Sequence, residues 1–212
     1  MGQHAVLTCD IVNSTKLNRA TEKALLSTLN KLLEPYAYEF YRGDSFQVYL
    51  KPKELTESLK MALLCRTAAL KTPAEDPATP CDLRTSIGIG TISGTVKKLA
   101  SAKGEAFLLS GRGLDSLSKS QAHLVISIEN GQPNAIRHGF ELISAYTDSI
   151  FHSMTTKQAE VIYQLLRGKS QTETVKTLKK SKSTISQLAN TAKWSEIEWI
   201  LLMYKNLINE IK

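Results

Sequence analysis

A chain of 212 residues with 42% hydrophobic and 22% charged side chains holds enough apolar material for a real core, which excludes a disordered chain. Its longest apolar stretches, such as Trp199 to Tyr204, fall far short of the roughly 20 residues needed to span a bilayer, and no leader pattern precedes His4, so the expectation is a cytoplasmic protein without a membrane partner. The net charge of +7 is unevenly placed: residues 1–151 carry 17 Lys+Arg against 15 Asp+Glu, and residues 152–212 carry 10 against 5.

A basic excess gathered in the shorter part is the electrostatic footprint of a phosphate-backbone binder, with a solvated lysine face as the plainer reading. Cys9, Cys65 and Cys81 are odd in number and lack ligand spacing. They read as small buried hydrophobes rather than a disulfide framework or a zinc site.

In chain order, His4 to Ile11 reads as a strand, after which Ser14 offers an N-cap to an amphipathic helix carrying Leu17, Ala20, Leu25, Leu29 and Leu32 and closed by Pro35. Ala37–Tyr41 and Phe46–Leu50 are β-prone runs around Arg42-Gly43-Asp44-Ser45, a tight hairpin. A second helix is expected from about Lys53 to Leu70, then an exposed, mobile loop over Lys71 to Pro80. Leu83 to Ile92 alternates toward a strand, Gly104 to Leu117 forms a third helix, and Leu124 to Ile128 is a short β-branched strand. The order β-α-β-β-α-β-α-β is that of an α+β, ferredoxin-like palm sheet with its helices packed on one face.

Beyond a breaker cluster at Asn130 to Pro133, Ala135 to Phe151 resumes as a helix with Ile136, Phe140, Ile143, Tyr146 and Ile150 on one side. That stripe suits the sheet, the C-terminal helices or a second subunit equally. From Met154 onward everything is helical in pattern. One helix bears Ala159, Ile162, Leu165 and Leu166 and ends at Gly168; Ser170 caps the next, Gln171 to Leu178; a tight turn at Lys179-Lys180-Ser181 leads to a helix with Ile185 and Leu188 inward. This spacing predicts an all-α helix-turn-helix domain.

Its last helix presents Lys182, Ser183, Thr184, Ser186, Gln187 and Asn190 outward, short hydrogen-bonding groups and amides suited to base edges, with Lys176, Lys179, Lys180 and Lys193 around them for phosphates. Double-stranded DNA is the expected partner. Trp194, Trp199, Leu201, Leu202, Tyr204 and Ile208 form an aromatic-rich final helix that closes the bundle or, alternatively, pairs two copies as a homodimer.

The chemistry of the first half rests on two segments on neighbouring strands, Asp10-Ile11-Val12-Asn13-Ser14-Thr15 and Gly43-Asp44-Ser45-Phe46-Gln47. They can bring Asp10 and Asp44 to one sheet edge, with Ile11 between them, to share divalent cations beside the amides opening the first helix. Together these motifs resemble class III nucleotidyl cyclases, and the hairpin is similar to the GGDEF turn. Leu83-Arg84-Thr85-Ser86-Ile87-Gly88-Ile89-Gly90 and Gly104-Glu105-Ala106-Phe107, with Arg112 beyond, resemble later cyclase segments. Across nearly the whole chain the motifs resemble the SatD family.

The resemblance implies Mg2+ or Mn2+ at Asp10, Ile11 and Asp44, and a nucleotide or nucleotide second messenger held by Asn13, Ser14, Thr15, Gly43 and Arg112. Where cyclases place a ribose-positioning Asn, this chain has Leu108, and the base-selecting Lys and Asp are matched by Phe40 and Ser101. A buried polar group without its partner costs about 1–3 kcal/mol, and each lost transition-state contact roughly 10²- to 10³-fold in rate. The expectation is therefore a DNA-binding transcriptional regulator with a degenerate, nucleotide-sensing cyclase-like domain (1–130), a connecting helix (131–153) and a helix-turn-helix domain (154–212). The alternative is an active nucleotidyl cyclase, or a related nucleotide-processing enzyme, with a regulatory helix-turn-helix.

Overall fold

The computed structural model describes residues 2–41, 43–73 and 80–211. Strands β1 (His4–Val12), β2 (Ala37–Tyr41), β3 (Ser45–Leu50), β4 (Asp82–Gly90) and β5 (Leu124–Ile128) form one sheet in the order β2-β3-β1-β4-β5. The first four run antiparallel to their neighbours, and β5 adds parallel to β4. This is the expected α+β, ferredoxin-like order extended by one strand.

The helices are not on one face. Along β1 the residues Ala5, Leu7, Cys9 and Ile11 join the main core with α1 (Arg19–Leu33) and α2 (Ser58–Leu70), whereas Val6 joins a separate cluster with Tyr49, Leu99 and Ala106 of α3 (Glu105–Leu117). The cause lies in β4, where Ile87 and Ile89 fill the first face while Gly88 and Gly90 leave the second nearly flat. A Cβ on Gly88 would lie 2.2 Å from the Ala106 carbonyl oxygen, so glycine there is what lets α3 lie against the strand.

The start of the first helix also differs from expectation. Ser14–Lys16 is a single 3-10 turn, and α1 begins at Arg19 with Asn18 as its N-cap, accepting from the Thr21 amide at 2.9 Å. Asn18 wins because its side chain reaches an amide three residues on, which Ser14 does not do. Pro52–Glu57 is likewise a 3-10 stretch preceding α2. The Lys71–Pro80 loop falls for the most part outside the described residues, as does Arg42 of the hairpin.

Helix α2 is buried on every side except near Lys60, because the sheet covers one flank and α5 (Thr156–Leu166) the other. Helix α4 (Asn134–His152) packs on β5 and on α8 (Trp194–Glu210). One continuous apolar core therefore crosses from the sheet into the C-terminal helices. In that C-terminal part, α5 and α6 (Gln171–Leu178) start with capping boxes, Thr155/Gln158 and Ser170/Glu173. Lys179 in the left-handed region turns the chain into α7 (Lys182–Thr191), capped by Ser181. Among the described residues, no helix is long and apolar enough to cross a membrane.

Candidate functional site

The site is a consequence of strand register. Asp10 lies directly across from Ser45 on one side and from Arg84 on the other. Side chains at directly paired positions meet on one face, here the one that also carries α3. The Ser45 hydroxyl donates to Asp10 Oδ1 at 3.3 Å and lies 3.4 Å from Asp44 Oδ1, so it bridges the two carboxylates. Arg84 Nη1 stands 3.6 Å from Asp10 Oδ2, and the Ser14 hydroxyl donates to Asp44 Oδ2 at 3.0 Å. The Ile11 amide donates to the Asp44 carbonyl at 3.0 Å, pinning the hairpin to the end of β1. Gly43, at φ 86, makes the turn that brings Asp44 back to that edge.

Burial raises the Asp10 pKa above its ordinary value, and the Asp44 charge adds to this; the Ser45 hydrogen bond and Arg84 offset part of it. Two hard carboxylates that repel one another suit a divalent cation, which would relieve the repulsion. Arg84 already supplies one fixed positive charge at the same place. Among the described residues no group of three or more His, Cys, Asp and Glu is placed to hold a metal ion. A site here is thus limited to the two carboxylates and backbone oxygens such as that of Ile11.

Beside Asp10 the same face carries a polar row. Gln47 Nε2 donates to Thr8 Oγ1 at 3.1 Å, Thr8 to Ser110 Oγ at 2.9 Å, and Ser110 to the Phe107 carbonyl at 3.0 Å. The row ends at the apolar cluster of Val6, Tyr49 and Ala106.

The residues expected to hold a nucleotide do not all gather here. Ser14 and Gly43 do. Thr15 is exposed on the 3-10 turn, and Asn13, at φ 61, turns its amide toward the Pro80 carbonyl at 3.3 Å. The expected cradle of amides opening the first helix is not formed at Ser14 and Thr15, because α1 starts five residues later and Asn18 accepts its Thr21 amide. Arg112 is exposed, while Ala106, Ser110, Gly113 and Leu117 are the buried face of α3, so it points to solvent rather than to Asp10. Phe40, matched to the base-selecting position, packs on Phe46 in the main core, on the opposite face from Asp10. Leu108 is 43% exposed, and Ser101 ends a 3-10 turn and is exposed.

On α7, Lys182, Ser183, Thr184, Gln187 and Asn190 are exposed and Ser186 is half-buried, while Ile185 and Ala189 face the core. The Ser183 and Thr184 hydroxyls each lie 2.8 Å from Ser181 Oγ, at the cap. Of the surrounding lysines, Lys180 is tied to Glu160 at 3.5 Å and Lys193 lies over the Tyr146 ring at 6.0 Å; Lys176 and Lys179 are exposed.

One polar cluster escaped the reading of the sequence. Arg66 on α2, only 2% exposed, grips Asp82 in a bidentate pair at 2.9 Å through Nε and Nη2 and reaches Asp148 of α4 through Nη1. His123 Nδ1 lies 2.6 Å from Asp82 Oδ2, and the His123 amide donates to Asp148 Oδ2 at 2.8 Å. The signal available was Arg66 itself, the one charge in the run Met61–Leu70 of an otherwise apolar helix. All three cysteines are buried and free; burial pushes Cys9 and Cys81 up to about 12, and Cys65 well above the ordinary thiol value. These thiols are inert core atoms.

The sheet order and the site define an α+β palm-type protein with two carboxylates at one sheet edge. No protein-family model matches the chain, and no curated protein does, so the likeness to the SatD family rests on its motifs. Among solved structures the chain is similar to the active GGEEF domain of a diguanylate cyclase from Vibrio cholerae, with 14% identity over 62% of this chain and 85% of that one, TM-score 0.43. A bacterial light-regulated adenylyl cyclase gives 16% identity over 59% of this chain and 42% of that one, TM-score 0.39. The catalytic core of a rhodopsin-guanylyl cyclase with converted specificity, in complex with ATPαS, gives 16% over 59% and 77%, TM-score 0.40.

Proposed function

We propose that the chain is a nucleotide-responsive, DNA-binding regulator whose cyclase-like half binds a metal-nucleotide without turning it over. The observation that carries this reading is Asp10, flanked across the sheet by Ser45 and Arg84 and adjoining Asp44. Asp10, Asp44 and the Ile11 carbonyl would hold Mg2+ or Mn2+, which when bound supplies charge neutralisation for a polyphosphate. Arg84, 3.6 Å from Asp10, sets a fixed cation against a carboxylate that a two-metal clamp would have to share, and Arg112, exposed on α3, is not among the residues paired with Asp10. Binding is thereby retained while transition-state stabilisation is reduced.

DNA contact falls to α7, whose exposed Lys182, Gln187 and Asn190 stand clear of the core in the part of the chain that holds +5 of the net charge. Coupling between the halves runs through α4, which is fastened to the sheet layer by Asp148 and packs on α8. A packed lever of this kind suits the 1–3 kcal/mol typical of allosteric coupling.

The test is a thermal-shift screen of nucleotides with Mn2+, followed by DNA binding at low salt with and without the best nucleotide. A ligand at a hundredfold excess over Kd stabilises the folded state by about 2.7 kcal/mol. Loss of the shift in Asp44→Asn, with loss of DNA binding in the Lys182→Ala/Gln187→Ala pair, is expected. Metal-dependent nucleotide turnover abolished by Asp44→Ala would replace this reading with the enzyme, and absence of DNA binding at low salt would remove the regulator.

A further inference from the structure

The large hydrophobic side chains left exposed among the described residues are concentrated in one place. Leu142 (72%) and Tyr146 (37%) of α4 and Trp199 (57%) of α8 line one groove, Leu202 (53%) of α8 lines the adjoining depression with Glu198 and Lys205, and Leu108 on α3 is the exception. Between the two helices runs a groove of about 410 Å³ walled by Leu142, Tyr146, Trp199, Met203 and Leu207. Gly139 sets its depth at one end, because a Cβ there would lie 2.8 Å from Leu207 Cδ1. The expectation that Trp199 and Leu202 close the core is therefore corrected: Tyr204 and Ile208 do so, with Tyr204 hydrogen-bonded to Ser58 Oγ at 2.6 Å. An apolar face of this kind on a folded surface marks an interaction site.

We propose that its occupant is a second copy of this chain, docked about a two-fold axis with the two α8 helices antiparallel. The argument is the order of charges along α8. Its exposed stripe, Ser195, Trp199, Leu202, Asn206 and Asn209, has the alternating three- and four-residue spacing of a helix–helix seam. Beside the stripe stand the exposed Glu198 and Lys205, and at the two ends of the helix the exposed Lys193 and Glu210.

Both opposite-charge pairs share one midpoint, between Leu201 and Leu202. A two-fold axis there sets Glu198 beside the partner's Lys205, and Lys193 toward the partner's Glu210. A parallel pairing would set each charge against its own copy. A self-matching surface is what a closed, two-fold interface requires, because each residue meets the partner's complement twice. A partner of another kind would have no need of that antisymmetric order. This inference is independent of the nucleotide and DNA readings.

Sedimentation of the full chain from about 1 to 100 μM is the test, a range that covers ordinary dimer affinities. Wild type is expected to be a dimer, and Leu142→Lys and Leu202→Lys, which alter only exposed positions, are expected to give monomers with unchanged circular dichroism. Glu198→Lys and Lys205→Glu, each replacing two attractive contacts per dimer with two repulsive ones, should each weaken the dimer about tenfold. The double reversal, E198K with K205E, should restore it. A monomeric wild type at 100 μM, a dimer indifferent to both lysine variants, or a double reversal no better than either single would each overturn the proposal.

Discussion

Arg66 sits with Asp82 and Asp148 inside the protein, and Arg84 sits beside Asp10 and its neighbour Asp44 at the sheet edge. The ingredients are the same, but the first set is saturated: both Asp82 oxygens accept from Arg66, and Asp148 accepts from Arg66 and from the His123 amide. Burial works to raise the Asp82 pKa, yet the His123 hydrogen bond and the Arg66 charge outweigh it and hold the carboxyl below its ordinary value. At the edge the balance tips the other way, and Asp10 is raised. A cluster that stabilises a fold meets all of its own bonding capacity, whereas one with unrelieved repulsion is ready for an external cation.

The largest expected effect that separates the two follows from Arg66→Met. It leaves two carboxylates buried without their counter-ion and should cost about 3–5 kcal/mol. Urea denaturation measures this, and a loss below 1 kcal/mol would remove the distinction between the clusters. The removal of Arg84 at the half-exposed edge, in Arg84→Leu, should change stability by no more than about 1 kcal/mol in the same assay.

Acid separates the clusters by sign. A carboxyl depressed on folding contributes stability above its unfolded pKa and loses it as pH falls through the folded pKa, so the Asp82 contribution is whole above about pH 4 and declines progressively below it. The raised Asp10 acts oppositely, since its unfavourable ionisation is relieved as pH falls. Comparison of wild type with Asp82→Asn and Asp10→Asn across pH 3–7 should show Asp82→Asn less stable near neutrality, with the gap closing in acid. Asp10→Asn should be at least as stable as wild type near pH 7. A destabilised Asp10→Asn would place Asp10 among the structural carboxylates.

A modest effect is expected of Tyr204→Phe, which removes the hydrogen bond to Ser58 at the junction of α8 with the start of α2, with a cost of about 1 kcal/mol. A loss larger than that of Arg66→Met would mean that the C-terminal helices, rather than the Arg66 cluster, dominate the joint between the halves.

Much of the fold was legible because it is written locally. The bounds of α6 followed from Ser170 and the turn lysines, β5 from its β-branched run, and the hairpin from Gly43-Asp44. The start of α1 was misplaced because Ser14 and Asn18 are both competent caps, and only geometry decides between them. Of the candidate site, Asp10, Ser14, Gly43 and Asp44 assemble as the motifs suggest. Arg84 appeared in the sequence as one letter of a strand motif, and its role as counter-ion depends on facing Asp10 in the register. Arg112 had the right spacing along the chain, but helical periodicity turns it from the sheet.

By itself the sequence determined the order of elements, the Ser170 cap of α6 and the hairpin turn, the buried state of Cys9 and Cys65, and the concentration of positive charge toward the C-terminus, because these depend on periodicity, local hydrogen bonding and composition. Tertiary structure alone decided that α3 crosses to the second face, that Arg66 joins α2 to β4 and α4, and that Trp199 and Leu202 stay exposed. Each of these depends on which residues far apart in the chain are brought within bonding distance. Spacing along the chain does not encode that distance; strand register and helix packing do.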